Sequence, residues 1–475
     1  MIKQAFNPYL PSNEYIPDGE PHVFNNRLYI YGSHDCFNGS KFCLNDYVTW
    51  SAPIDDLSEW RFEGTIYNKT QDPDNVDGKL ELWAPDVVKG LDGKYYLYYC
   101  LANYDKIGVA VCNTPNGKFE FLSYVKYEDN TVYGQRCGDD RPFDPAVLID
   151  DDGRIYLYTG QGPAMVHILK HKSMEGKAST VMELDKDMIT IKSSPKRLLP
   201  LLGASNGTGF EGHEFFEGSS IRKFNSKYYF IYSSGLCHEL CYAISNRPDG
   251  GFVYGETLIS NADIGYNNIT NKNALNYVGN NHGSLIEINK QFYVFYHRHT
   301  NKNSYSRQGC AEVIYMRDDG GFDQVEMTSS GLNNGPLLDH GIYEARIACN
   351  LIFNHNDLYG ENINLDNPFI TQDGEDRENN PNQYIKNIKE ASTIGFKYFN
   401  FHNAKRIIVT IRGQGKGKLI VRDGLNGNIV STIEVFPSQT WTSYASSLAI
   451  AKGIKPLYFS YVGFDNIDFL SFELQ

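Results

Sequence analysis

No stretch of the 475 residues approaches the roughly 18 uncharged apolar residues that a membrane-spanning helix requires. The first residues, Met1-Ile2-Lys3-Gln4-Ala5-Phe6-Asn7-Pro8, have neither the apolar core nor the small-residue cleavage site of a secretory leader. The expectation is a cytoplasmic chain, or a secreted one if a leader has been trimmed. Basic residues are short, with 44 Lys and Arg against 57 Asp and Glu and a net charge of −13. A nucleic-acid partner and an anionic membrane surface both call for a basic face, so neither is expected. The nine cysteines are odd in number, and no CxxC pair repeats at zinc spacing. Free thiols in a reducing compartment fit that pattern. Tryptophan is scarce, at four residues, but there are 34 Tyr, 27 Phe and 43 Gly. Abundant aromatics and glycines without a long helical pattern point to β-structure with tight turns. The length suggests two or three domains.

One pattern occurs five times: a polar turn pair, then alternating aromatic and aliphatic residues. It reads Asn26-Arg27-Leu28-Tyr29-Ile30-Tyr31, Gly93-Lys94-Tyr95-Tyr96-Leu97-Tyr98, Gly153-Arg154-Ile155-Tyr156-Leu157-Tyr158, Ser226-Lys227-Tyr228-Tyr229-Phe230-Ile231 and Lys290-Gln291-Phe292-Tyr293-Val294-Phe295. A short apolar run precedes each, so each pair reads as a hairpin. A third strand often follows, as in Val109-Ala110-Val111-Cys112 before Asn113-Thr114-Pro115 and Tyr242-Ala243-Ile244-Ser245 before Asn246-Arg247-Pro248. A period of about 65 residues has room for a four-stranded unit, and repeated four-stranded units make a propeller. The alternative is a run of unrelated hairpins in a sandwich. The recurrence favours an all-β, five-bladed propeller over residues 1–328.

The pattern stops after Phe322. Residues 329–341 have linker chemistry, and 354–388, rich in Asn and Asp, reads as irregular loops. Alternation returns in Arg406–Arg412, Lys418–Arg422, Ile429–Val435 and Pro456–Tyr461. Short strands with glycine-rich turns suggest a separate β-sandwich, a jelly-roll, over 342–475.

Innermost propeller strands converge on a central channel. Seven to nine residues before the five turns stand Asp18, Asp86, Asp144, Glu217 and His282. Each alone reads equally well as a turn, cap or core residue. Together they put four acids and a histidine at one mouth. Clustered acids cannot all ionise cheaply, so their pKa values should move apart. Several carboxylates in an aromatic-lined pocket suit glycoside hydrolysis, one acid protonating the leaving oxygen while a carboxylate activates water. Trp83 and Phe216, beside Asp86 and Glu217, are candidate sugar platforms, although either could fill the core between blades. His282 could be a core histidine, or could bind a metal or water on the channel axis.

These residues resemble glycoside hydrolase family 43, over roughly 6–325. The resemblance rests on Tyr15-Ile16-Pro17-Asp18-Gly19-Glu20-Pro21-His22-Val23-Phe24, Leu82-Trp83-Ala84-Pro85-Asp86-Val87, Phe143-Asp144-Pro145-Ala146-Val147, Phe216-Glu217-Gly218-Ser219-Ser220-Ile221 and Asn281-His282-Gly283-Ser284, in that order. It implies a five-bladed propeller and an inverting mechanism with three acids. Asp18 then matches the general base, Asp144 the residue that orients the acid and tunes its pKa, and Glu217 the general acid. His282 matches a channel histidine that helps hold calcium or another cation by way of water. Arg298 matches a fifth-blade arginine that contacts the sugar, and Trp83 and Asp86 are further substrate-binding candidates. Gly19 and Ser219 stand where the family often has proline. No cofactor is expected for the chemistry.

Residues 342–475 resemble a family 6 carbohydrate-binding module. The resemblance is carried by Tyr343-Glu344-Ala345, Phe396-Lys397-Tyr398-Phe399-Asn400-Phe401, Thr440-Trp441-Thr442 and Ile467-Asp468-Phe469-Leu470-Ser471-Phe472. It implies a structural calcium at Glu344 and Asp468. Trp441 could stack on sugar or fill the core, and the core is favoured. The expected activity is exo-release of arabinofuranosyl or xylosyl units from hemicellulose-derived oligosaccharides. The alternatives are a non-catalytic sugar-binding propeller and a glycosidase for another sugar, such as a β-galactoside. An inverting pair of carboxyls should stand about 6.5–9.5 Å apart.

Overall fold

The computed structural model describes residues 3–163, 179–353, 363, 365–378 and 382–475. Among them, no helix is long and apolar enough to cross a membrane. The first sheet pairs Glu20–Phe24, Arg27–Tyr31, Tyr47–Pro53 and Arg61–Tyr67 in chain order. The second pairs Asp86–Lys89, Tyr95–Cys100, Ile107–Cys112 and Glu120–Tyr124. The third is built on Ala146–Ile149, Ile155–Gly160 and Ser179–Leu184, and the fourth on Phe215–Phe224, Lys227–Ser234, Glu239–Ser245 and Val253–Ser260. The fifth holds Ser284–Ile288, Gln291–His299 and Arg307–Ile314. The repeated motif forms the second strand of every sheet. The first strands touch one another in sequence around a closed ring, the fifth meeting the first. This is a five-bladed β-propeller.

The aromatic repeat does two things. Its alternation buries Tyr31, Tyr98, Tyr158 and Tyr232 completely. It also latches blade to blade. Tyr31 Oη donates to the Pro115 carbonyl at 2.6 Å, Tyr98 to Met188 at 2.5 Å, Tyr158 to Pro248 at 2.7 Å and Tyr229 to Gly320 at 2.8 Å. Each acceptor lies in a turn of the following blade. A buried phenol must find an acceptor, so one residue type fills the core and ties neighbours together. The N-terminal segment closes the ring beside Arg307–Ile314: Tyr9 N–H donates to the Gly309 carbonyl at 3.2 Å, and Asn7 Oδ1 accepts from Ala311 N–H at 2.9 Å.

Two six-stranded sheets follow, centred on Thr393–Phe401 with Gly453–Phe464 and on Arg406–Gly413 with Ile467–Leu474. They share a core that includes Phe396, Phe459, Phe469 and Phe472, which makes a β-sandwich. The 354–388 region is not loops throughout. Strands Phe369–Gln372 and Gln383–Ile388 lie in it and pair with each other. Their inward residues Phe369, Ile370, Ile385 and Ile388 join the core, which a count of Asn and Asp hides. Much of 354–364 lies outside the described residues. The linker stretch already enters a sheet at Leu337–Leu338. Sandwich and propeller meet at Lys397, whose buried Nζ lies 2.7 Å from Glu326 and 3.3 Å from Asp263.

Candidate active site

Four of the expected residues meet at one mouth of the channel, and the three acids stand on local backbone that turns them inward. Asp18 (φ 56) and Asp144 (φ 43) are left-handed non-glycine residues just before the innermost strands of blades one and three. Aspartate tolerates that region better than most side chains, and such conformations gather at functional sites. Glu217 sits between two register shifts in its strand, and a bulge re-aims a side chain. Gly218 follows at φ 74, where an added Cβ would lie 3.2 Å from the His282 ring.

His282 stands between the acids. Its Nδ1 lies 3.8 Å from Asp18 Oδ1 and 3.9 Å from Asp144 Oδ2. Asp144 Oδ2 accepts from Gly218 N–H at 3.0 Å, and Glu217 Oε2 accepts from Gln161 Nε2 at 3.1 Å. Arg307 Nη1 donates to Asp18 Oδ1 at 3.1 Å, while Asp35 takes the rest of the guanidinium. His297 Nε2 donates to the Asn280 carbonyl at 2.8 Å, which leaves Nδ1 to face Asp18.

These surroundings drive the acids apart. Burial opposes ionisation of Asp18, but the Arg307 guanidinium overcomes it and holds the carboxyl well below the usual carboxylate range. Burial pushes Glu217 up to about 7, and the Asp18 charge adds to the rise while Gln161 opposes it. Asp144 is raised by burial and by its neighbour Glu217, so the two hold their last proton as a pair. Burial lowers His282 to about 4, which keeps it neutral. An ionised carboxylate and a protonated one at the same mouth can serve as a base and an acid.

The sequence pattern of glycosyl hydrolases family 43 matches residues 21–322. The chain belongs to that family. It is 51% identical over 479 residues to a xylosidase/arabinosidase of Thermoclostridium stercorarium, covering 100% of this chain and 99% of that protein. A xylosidase/arabinosidase of Bacteroides ovatus is 31% identical over 315 residues, 61% of this chain and 87% of its own. Among solved structures, a family 43 arabinoxylan arabinofuranohydrolase from Bacillus subtilis, in complex with cellotetraose, has the same fold. Its TM-score is 0.52 at 22% identity, over 99% of this chain and 97% of that one. This family 43 chain is a glycoside hydrolase.

Not every expected residue joins the mouth. Arg298 does not. Alternate residues of a strand point to opposite faces, and in Gln291–His299 it is His297 that faces Asp18. Arg298 is buried on the other face and donates to the Ala348 carbonyl at 3.0 Å. The arginine that meets the acids is Arg307. Asp86 is displaced as well. It pairs with Tyr98 as Glu20 pairs with Tyr31 and Ala146 with Tyr158, two residues along the strand from the level of Asp18 and Asp144. There it accepts from His22 Nε2 at 2.7 Å and Val147 N–H at 2.8 Å, within the fold rather than facing a sugar. Trp83 is half-buried, packed against the core between blades two and three and in T-shaped contact with Phe143 with ring centroids 5.0 Å apart. Phe216 is buried, as a core residue would be.

The calcium that the resemblance implies can be tested on two buried atoms. Glu20 Oε1 and His282 Nε2 lie 4.0 Å apart, and neither has a hydrogen-bond partner among the described residues. Burial pushes Glu20 up to about 8, against the pull of Arg222 and with a further rise from Asp86. Ligand atoms of Glu20, His22 and Asp86 lie within 4.8 Å of one another. The unspent Glu20 oxygen, a hard donor, fits a hard cation. Glu344 and Asp468 do not fit one. Glu344 pairs with Arg346 at 2.5 Å, and Asp468 accepts from Arg412 Nε at 3.2 Å and Asn387 N–H at 3.1 Å. Glu20 meets an arginine too, with Arg222 2.6 Å from its Oε2, but keeps a buried Oε1 free beside that pair, as neither Glu344 nor Asp468 does. Trp441 is not core either: it is partly exposed, with Arg412 over its ring at 4.2 Å.

Sequence reasoning missed Arg307, Asp35, His297 and Gln161. Only Glu20 and His22 carried a signal, in the stretch Asp18–Phe24.

Proposed function

We propose that this glycosidase releases terminal xylosyl or arabinofuranosyl units from hemicellulose-derived oligosaccharides with inversion at the anomeric carbon. One observation carries the reading: Arg307 holds Asp18 ionised while burial keeps Glu217 protonated, at one channel mouth. The names of the similar proteins support the sugar class. Asp18 removes a proton from a water on one face of the sugar ring, and the water oxygen forms the new bond to the anomeric carbon. Glu217 gives its proton to the departing glycosidic oxygen. Asp144 fixes the Gly218 backbone and shares the acid's proton. His282, neutral, lies between Asp18 and Asp144. Bound calcium would neutralise Glu20 and Asp86 and, through water, steady His282. The hydrolysis itself runs on the side chains.

A panel of aryl glycosides tests this reading: α-L-arabinofuranoside, β-D-xyloside and β-D-galactoside. The first two should be cleaved. Proton NMR in the first minutes should show α-xylose forming first from the β-xyloside. Cleavage of the galactoside alone would move the substrate class, and β-xylose forming first would exclude inversion.

A further inference from the structure

The sandwich reaches the base. Gln372 and Gln383, on neighbouring strands, hold Tyr15: its hydroxyl donates to Gln372 Oε1 at 2.5 Å and accepts from Gln383 Nε2 at 3.1 Å. Arg377 pairs with Glu14 and lies 2.9 Å from His34 Nε2. Asp376 accepts from Phe37 N–H at 2.6 Å and from the Asn45 side chain at 3.3 Å. These contacts fall on two stretches of the first blade. One is 14–18, which ends at Asp18. The other is the loop that carries Asp35 between strands Arg27–Tyr31 and Tyr47–Pro53. Asp35 is fully buried and accepts from Cys43 N–H at 2.9 Å and from Arg307 Nε and Nη2 at 2.9 and 3.0 Å. Arg307 in turn holds Asp18. Arg377 itself is left-handed, at φ 62, a conformation that persists only where its surroundings require it.

We infer that residues 372–377 are positioning residues of the catalytic centre. They clamp segment 14–18 and the Asp35 loop so that one guanidinium can reach both Asp35 and Asp18. A sandwich that merely adhered would not need its contacts here. Others between the same two units, such as Tyr398 to Glu326 at 2.7 Å, touch neither stretch. Misplacing a reacting group by about 1 Å costs on the order of 10²-fold in rate, so the sandwich acts on kcat without meeting the sugar. This inference rests on Asp18 as the base.

The test uses the full chain and the preferred aryl glycoside. Variants are Asp376→Ala, Arg377→Ala and Arg377→Lys, with Tyr398→Phe as an interface control and Asp18→Asn as the reference. Asp376→Ala and Arg377→Ala should lose about 10–100-fold in kcat with little change in KM, the mark of an interaction that acts in the transition state. Arg377→Lys should recover most of the rate, and Tyr398→Phe should keep it. Thermal unfolding should shift no more in Asp376→Ala than in Tyr398→Phe. Normal kcat in both alanine variants, with Asp18→Asn inactive, would overturn this inference alone. Loss of kcat in step with loss of folded protein would overturn it too. Normal kcat in Asp18→Asn would overturn the base assignment and this inference together.

Discussion

Arg307 bridges Asp18 and Asp35, placing Nη1 3.1 Å from the first and Nε 2.9 Å from the second. All three are buried, so the one cation is shared between two carboxylates in a low-dielectric space. Lysine is a point charge on a flexible stem and cannot grip both. Arg307→Lys should lower kcat by about 10²-fold and move the acid limb of the pH profile upward, because a lysine held by Asp35 no longer places its charge against Asp18. Arg307→Ala leaves two buried carboxylates unpaired and should cost about 3–5 kcal/mol of stability. Steady-state kinetics across pH and urea melts check the two.

The pH profile of kcat/KM should be bell-shaped and lie low. On the alkaline side Glu217 loses its proton, so activity falls as pH rises through about 7. On the acid side Asp18 stays ionised below the usual carboxylate range, so that limb should fall late. Asp144→Asn removes a neighbouring negative charge and should shift the alkaline limb to lower pH. An unchanged limb would separate Asp144 from the acid.

Much of this architecture was legible in the chain. The Tyr-rich second strands marked all five blades, because alternation and an obligatory phenol acceptor leave the same imprint in each. Asp18, Asp144, Glu217 and His282 were legible from one offset. Asp86 shows the limit of that reading. An offset of seven to nine residues cannot resolve two levels two residues apart on the same strand face. Arg298 shows another, since a one-residue step changes the face. Asp35 and Arg307 carried no motif. They lie 272 positions apart, and only ring closure brings them together. Asp376 and Arg377 were hidden in an Asn- and Asp-rich stretch that composition alone describes as loop.

Calcium removal should be felt at the channel more than in the sandwich. Among the described residues, Glu20 Oε1 and His282 Nε2 are buried and unpartnered although Glu20 Oε2 meets Arg222, whereas Glu344 and Asp468 meet arginines with no such buried, unpartnered atom. A chelator should lower the melting temperature of the full chain, and calcium in excess should restore it, by about 2.7 kcal/mol at 100 times its Kd. Glu20→Gln should abolish the calcium response, and Asp468→Asn should leave it intact.

The central claim is the division of labour between Glu217 and Asp18. It is tested most directly by leaving-group dependence in Glu217→Ala and Asp18→Ala, on a dinitrophenyl and a methyl glycoside of one sugar. A dinitrophenolate departs without a proton. Glu217→Ala should therefore lose about 10²–10⁴-fold on the methyl glycoside and far less on the dinitrophenyl one. Asp18→Ala should fail on both, because water must be activated whatever departs. Equal losses on the two substrates in Glu217→Ala, or undiminished rates in Asp18→Ala, would contradict the assignment.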